Sequence, residues 1–450
     1  PKTLVDAAPT LTRTLAPAWL ATPYDVPLLP EGLDFDTVLL VDAGGICLAE
    51  AAPAIRRARQ IVAFGDPATQ RPSPFTIGIG AEVGIDLAPD ADADGVAFDD
   101  VSVFERLAEV LPVMTLTRSY RAGGEDLAEL VNDAFYGGEI VSLPWAGSYL
   151  GRGSLSVDYV ENGTGTPDPI SGAVESTKAE VERIVTLVAE HAVNRPSESL
   201  MVVTASPRHA ERLRHEITVK FSERPELAEF ASRDSAEPFA VLTLEQSVAE
   251  SRDRVIFSLG YGLTRHGRVL SDFGDLSTPA GERLLTVGMT RARRSMVIGS
   301  AIRPSAFDER KLEHGASTLM DILSGVAERS RHGNLEELAD PLTRVLAREL
   351  RALGVDCALG YRGTLALVAK HDGKAVVAES DPEVHGSSLR ETLRLRPQVL
   401  RRLGWHYVRV HAFDLYSDPA AVAARIAGVL GVVASTPRPV DTATQPISTL

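Results

Sequence analysis

Apolar and polar positions along this chain fall into short blocks that switch between a strand-like and a helix-like period. Thr37–Val41 is an apolar run closing on Asp42, and Gln60–Phe64 is a second run closing on Gly65-Asp66. Between them, Leu48–Arg57 has the spacing of a helix. Apolar runs on either side of a helix predict a βαβ unit and a parallel sheet. A right-handed crossover then puts both strand ends, Asp42 and Asp66, on one edge, where open α/β sheets bind ligands.

Further along, Val101–Val110 predicts a helix, and Gly151–Pro169, rich in Gly, Ser, Thr and Pro, predicts loop or irregular strand. Val174, Val181, Ile184, Val185 and Val188 lie near one face of a long helix, with Ser176 and Thr177 as its caps. Met201–Ala205, Ala240–Leu244, Val255–Leu259 and Met296–Gly299 predict buried strands of a second α/β unit. Charged helix formers fill about 305–340. A third unit reads helix Pro341–Leu353, strands Thr364–Ala369 and Lys374–Glu379, helix Ser388–Leu403, strand His406–His411 and helix Pro419–Leu430. The expected division is 1–100, 101–305, a helical connector at 306–340, 341–431, and a disordered Pro/Thr/Ser-rich tail at 432–450.

Composition narrows the class only modestly. Hydrophobic residues are 44% and charged residues 24% of 450, which excludes a coiled coil, a collagen-like fibre and a wholly disordered chain. No stretch of about 18 apolar residues lacks charge, so no membrane span is expected. No basic-then-apolar leader opens the chain. Pro1 is not preceded by an initiator methionine, and a portion of a longer protein is expected. Two cysteines, Cys47 and Cys357, build neither a disulfide framework nor a zinc knuckle and point to a reducing cytoplasm.

Net charge is −15, which argues mildly against a dedicated nucleic-acid module. Part of that excess is the acidic stretch around 90–100, read as a solvated connector. By contrast, 341–430 holds 13 Arg/Lys against 9 Asp/Glu. There Arg390, Arg394, Arg396, Arg401 and Arg402 form either a basic patch or the wet face of a helix. No Gly-x-Ser-x-Gly elbow supports a Ser-His-Asp triad, and no His/Cys cluster has metal-ligand spacing.

Three segments carry a resemblance. They are Phe35–Gly45 (Phe-Asp-Thr-Val-Leu-Leu-Val-Asp-Ala-Gly-Gly), Ile61–Pro72 (Ile-Val-Ala-Phe-Gly-Asp-Pro-Ala-Thr-Gln-Arg-Pro) and Leu285–Arg294 (Leu-Thr-Val-Gly-Met-Thr-Arg-Ala-Arg-Arg). In this order they resemble motifs II, III and VI of superfamily 1 helicases. Leu116–Arg121 looks like motif IV, and Ser251–Gly262 resembles the segment leading from motif V toward VI. Over about 15–430 the likeness is to large bacterial Upf-like helicases with a C-terminal Vsr-like endonuclease domain. The resemblance implies RecA-like P-loop NTPase lobes, the first partial, followed by an α/β restriction-endonuclease-like domain. It implies ATP and Mg²⁺ as cofactors and DNA or another nucleic acid as partner, with no membrane.

By the same resemblance Asp42 holds Mg²⁺, Gln70 senses the γ-phosphate, and Arg121 and Arg291 stabilise the transferring phosphoryl group, with Asp66 beside the nucleotide. The departures are equally specific. The water-positioning Glu after the motif II Asp is Ala43, which can neither accept a proton nor orient a water. Ala249-Glu250-Ser251-Arg252 stands where motif V has Gln-Gly-Asp-Glu, so its glycine is gone. No Gly-x-x-x-x-Gly-Lys-Ser/Thr occurs, and in the family it lies upstream of motif II, so tight ATP binding by this chain alone is not expected.

The third unit resembles PD-(D/E)xK nucleases through Gly360-Tyr361-Arg362, Ala378–Asp381, His385 and Leu403–His406. The family's first metal-binding Asp aligns with Thr364, a poor replacement for a carboxylate. Glu379, Asp381 and His385 remain. Trp405 is expected to be core. Two readings follow. One is a helicase-type, nucleic-acid-dependent ATPase impaired in catalysis. The other is a helicase-derived pseudo-enzyme that binds nucleic acid or a protein partner without turnover.

Overall fold

The apolar run that ends before Asp42 is a strand, and it pairs with the run that ends before Asp66. The computed structural model describes residues 7–30, 32–72, 101–117, 125–169, 171–233, 235–307, 311–328, 340–380 and 388–432. The acidic stretch at 90–100 and the tail from 433 lie outside them. The chain divides into two units, Pro1–Leu116 and Thr117–Leu450.

In the first unit β1 (Phe35–Leu40) and β2 (Ala58–Ala63) are parallel, with Thr37 opposite Gln60 and Leu40 opposite Ala63. The helix Leu48–Ile55 connects them, as the sequence predicts. A second helix, Val103–Ala108, starts from a capping box in which the Ser102 hydroxyl accepts from the Glu105 N–H and the Glu105 carboxylate accepts from Ser102. Val103 is fully buried against Leu40, Ala43 and Ala51. That packing is why the division falls after Leu116, whereas the sequence placed it at 100.

The second unit is built on a five-stranded sheet. Its members are β3 (Leu155–Tyr159), β5 (Leu200–Thr204), β6 (Ala240–Thr243), β7 (Arg252–Ser258) and β9 (Ala292–Ser300), in the order β3-β9-β7-β5-β6 and all parallel. Two-residue strands β4 (Thr164–Gly165) and β8 (Leu263–Thr264) pair beside it. Every residue of β5 is buried, because helices cover both faces of a parallel sheet. Lys178–Asn194, Pro207–Ser222 and Pro225–Ser232 pack on one face through Ile184, Leu213 and Leu227. Glu125–Phe135, Gly281–Met289 and His314–Glu328 pack on the other.

Two expectations change here. Gly151–Pro169 contains a regular strand, since Leu155 and Val157 alternate with polar residues and pair with Met296–Ile298. The 306–340 stretch is not a detached connector over its described part. Ala316, Leu319, Met320 and Leu323 repeat at helical spacing and are buried in the sheet's core.

At the C-terminus β10 (Asp356–Tyr361), β11 (Leu365–His371) and β12 (Lys374–Glu379) form an antiparallel meander, and β13 (His406–Arg409) joins β12 in parallel. One face carries helices Pro341–Ala352, Ala412–Ser417 and Pro419–Leu430. The other face carries Arg396–Arg402 together with residues 143–150, far upstream in sequence. Trp405 is core, as expected. It is 2% exposed and donates Nε1–H to Pro144 O at 2.7 Å. The Ala146 N–H bonds Leu403 O, and Arg362 pairs with Asp126 at 2.9 Å.

The C-terminal sheet is therefore fastened to the upstream segment by buried polar contacts. Trp405→Phe leaves Pro144 O without its buried partner and is expected to cost about 1–3 kcal/mol. Urea unfolding checks this, and a loss under about 0.5 kcal/mol would mean that the indole N–H does not hold the join.

Candidate functional site

Past the ends of β1 and β2 the backbone pairing continues, with Phe64 N–H on Leu40 O and Ala43 N–H on Phe64 O. Asp42 thus stands at the C-terminal edge of the parallel pair. Its φ is 56°, a left-handed conformation that Asp tolerates better than most residues. Its exposed carboxylate accepts from Gln70 Nε2 at 2.8 Å, and Gln70 Oε1 accepts from the Asp66 N–H at 3.0 Å. One carboxamide joins both strand ends. A Cβ on Gly44 would lie 2.6 Å from Gln70 Oε1, so only glycine lets that side chain lie down. The Asp66 carboxylate closes its own turn, accepting from the Ala68 N–H and the Thr69 hydroxyl, and is a turn former.

Ala43 is fully buried among Leu40, Ala51 and Val103, so the position expected to orient a water is part of the apolar core. Glu50 is no substitute. It accepts from the Tyr24 hydroxyl at 2.7 Å and from the Cys47 N–H at 2.9 Å, and these bonds, Tyr24 first, hold its carboxyl below the usual range. The exposed Asp42 carboxylate, steadied by Gln70, could supply one of the six oxygens Mg²⁺ prefers. Among the described residues no group of three or more His, Cys, Asp or Glu could hold a metal alone.

Arg121 lies outside the described residues. Arg291, at the start of β9, is 7% exposed. Its Nε donates to Val287 O at 2.9 Å, Nη1 to Glu250 O at 3.3 Å and Nη2 to the Thr290 hydroxyl at 2.9 Å. This guanidinium braces the turn at 249–252, where Ala249 has φ 65°, a left-handed conformation that a residue with a Cβ adopts at a cost. Arg293 is bound to Glu237, Asp253 and Ser199, and its hydrogen bond pulls the Glu237 carboxyl down to about 2.

A buried polar chain at the other edge of this sheet is absent from the sequence reading. His209 Nε2 lies 2.9 Å from Ser258 Oγ, which donates to Glu180 Oε1 at 2.7 Å; the Gly260 N–H donates to the same oxygen. Ser258 gives its hydrogen to Glu180, so His209 donates from Nε2 and accepts from Ser176 at Nδ1, 3.0 Å away. All four side chains are buried, so Ser258 is no nucleophile. Burial pushes Glu180 up to about 7 and His209 down to about 3. Both are neutral near pH 5. Glu180 Oε2, buried without a hydrogen bond, is tolerable on a neutral carboxyl and costly on a carboxylate. The sequence signal is an acid at position 180 in register with Ile184 and Val188 on the buried stripe.

In the C-terminal sheet the structure brings Thr364 and Glu379 to one edge; Asp381 and His385 lie outside the described residues. Glu379 is held by Arg396, whose Nε sits 2.8 and 3.1 Å from its two oxygens. A guanidinium on the only described acid of the set does not fit a divalent metal there.

No protein-family model matches the chain. It is 24% identical over 287 residues to the uncharacterized ATP-dependent helicase MG140 homolog of Mycoplasma pneumoniae, covering 61% of this chain and 24% of that protein. To the uncharacterized ATP-dependent helicase MG140 of Mycoplasma genitalium it is 25% identical over 271 residues, covering 58% and 22%. The chain thus spans about a quarter of the length of these relatives. A solved complex of Arterivirus nonstructural protein 10 (helicase) with DNA aligns with 60% of this chain and 42% of its own, at 11% identity and a TM-score of 0.27, too loose to bear on the fold.

Two expectations follow. Ala43→Glu buries a carboxylate in an apolar core and is expected to cost about 2–5 kcal/mol without restoring ATP hydrolysis. Calorimetry beside an ATPase assay checks it, and a stable variant with raised turnover would refute it. Glu180, raised from 4.5 to about 7, binds its proton more tightly in the folded state, so its contribution to stability falls as pH rises from 4.5 to 7. His209 acts oppositely, losing stability as pH falls from 6.5 toward 3. Glu180→Gln removes only the first slope and should gain on the native protein by up to about 3 kcal/mol between pH 4.5 and 7. Parallel urea midpoints for the two proteins across that range would show that Glu180 does not titrate.

Proposed function

We propose that this chain is part of a helicase-type, nucleic-acid-dependent ATPase whose hydrolytic step is impaired. The observation that carries the reading is the hydrogen bond between Asp42 and Gln70 across two parallel strand ends, in the motif order of superfamily 1. The similarity to proteins named ATP-dependent helicases supports it. So do Leu39 and Val41, 59% and 69% exposed in and just after β1, because parallel sheets are ordinarily covered on both faces. A larger RecA-like lobe would cover them.

In this reading Asp42 holds Mg²⁺ on a bound nucleotide while Gln70 fixes the carboxylate and ties it to the Asp66 turn. Mg²⁺ would neutralise charge on the phosphates. Ala43 offers nothing to orient water, and Arg291 acts by bracing the 249–252 turn. The third unit, in this reading, is a nuclease-like fold that does not cut. The second reading, a scaffold that binds nucleic acid or a protein without turnover, is favoured by the burial of Ala43, which leaves no room for a base to act there.

ATP hydrolysis by the full-length protein that carries this chain, with and without single-stranded DNA, separates the two, beside Gln70→Ala. A missing general base costs about 10²–10⁴-fold, so turnover on the order of 0.1 s⁻¹ or slower is expected. DNA should raise it, and Gln70→Ala should lower it about tenfold. DNA binding without turnover would establish the scaffold. Neither binding nor turnover would sink both readings.

A further inference from the structure

The edge of the C-terminal sheet where β12 ends is closed by one cation. Arg396 Nε and Nη2 straddle the Glu379 carboxylate, the closest approach being 2.7 Å, and Nη2 also donates to Thr364 O at 2.8 Å. An acid at one strand end and an oxygen at the neighbouring strand's start thus converge on a guanidinium. Those are the two sides from which a PD-(D/E)xK nuclease grips its divalent ion. The local backbone explains the placement. Residues 389–402 are one helical run, and Pro397 inside it removes a donor and clashes with the preceding turn. The helix answers with a wide π turn at Glu391–Leu395, and Arg396 follows it directly.

Arg396 Nη1 makes no hydrogen bond to a described residue. Arg409 is the register partner of Glu379 and Arg401 lies 5.7 Å over the Tyr407 ring, while Arg390 and Arg394 are exposed on the helical run that carries Arg396. In a chain of net charge −15 this concentration is local.

We propose that this edge binds the phosphodiester backbone of nucleic acid without a metal ion. Arg396 is the built-in cation, neutralising Glu379 and presenting Nη1 to a phosphate oxygen, and Arg390 and Arg394 extend the contact. A guanidinium has the donors for both tasks at once, a carboxylate on one side and a phosphate on the other. The inference rests on the nuclease-like reading of this domain and is independent of ATP turnover.

The test is fluorescence anisotropy of a labelled DNA duplex with the full chain, in EDTA and in millimolar MgCl₂, across a salt series. Affinities in the two buffers should agree within about twofold. Arg390→Ala/Arg394→Ala, both exposed, should weaken binding about tenfold and reduce the salt slope by about two. Glu379→Gln, which frees Arg396 from its acid, should leave binding intact or tighten it. A gain of about tenfold with Mg²⁺ that Glu379→Gln abolishes would reveal a metal site and overturn the proposal. A double variant that binds like the native chain would overturn it too, making these arginines a solvated helix face. Turnover is read separately, so a motor without this edge and an edge without a motor give different results.

Discussion

Where helices cover both faces of a parallel sheet, the polar groups that become buried at its strand ends must be satisfied from within the protein. Much of the second unit follows from that constraint. β5 and β7 end at Thr204 and Ser258, and the two helices that start nearby bring Ser206, His209 and Glu180 to meet them. Gly260 can turn there, with φ 77°, only because it lacks a Cβ that would meet His209 at 2.9 Å. The opposite edge is closed in the same way by Arg291 and Arg293. Arg291, to which the resemblance gives a catalytic role, is here held by two backbone carbonyls and a hydroxyl of its own unit.

The first unit obeys the opposite rule. Among the described residues its two strands are too few to enclose their ends, and Asp42 stays exposed, bound by Gln70. An exposed carboxylate fixed by a carboxamide remains open to a cation. A half-buried acid such as Glu379 already has one. Exposure and partnership therefore rank these sites better than residue type does.

The sequence made the elements legible where one period dominated. Thr37–Val41, Gln60–Phe64, Met201–Ala205 and Val255–Leu259 are strands because buried parallel strands read as continuous apolar runs. Leu155–Tyr159 was hidden because it alternates within a Gly/Ser-rich stretch. The helix at His314–Glu328 is legible, but its burial is not, because its apolar stripe is diluted by polar neighbours. For the sites, strand order placed Asp42 and Asp66 on one edge, whereas Gln70 came only from the resemblance to motif III. Arg396 could not be found that way. Its partners are 17 and 32 residues away in sequence, and only the folded sheet edge brings Glu379 and Thr364 onto it.

The departures from the helicase and nuclease motifs that this chain resembles are, with one exception, answered by packing or pairing. Ala43 is sealed by the helix that begins at Val103. Without a partner, Glu379 would stand half-buried at the sheet edge as an unpaired charge. Arg396 pairs with it, and the π turn before Pro397 sets where Arg396 enters the edge. Ala249 is the exception, a strained residue kept in place by the Arg291 brace on Glu250 O. The contact at the C-terminal edge is itself cationic, since Arg396 supplies the positive charge that the Glu379 carboxylate requires.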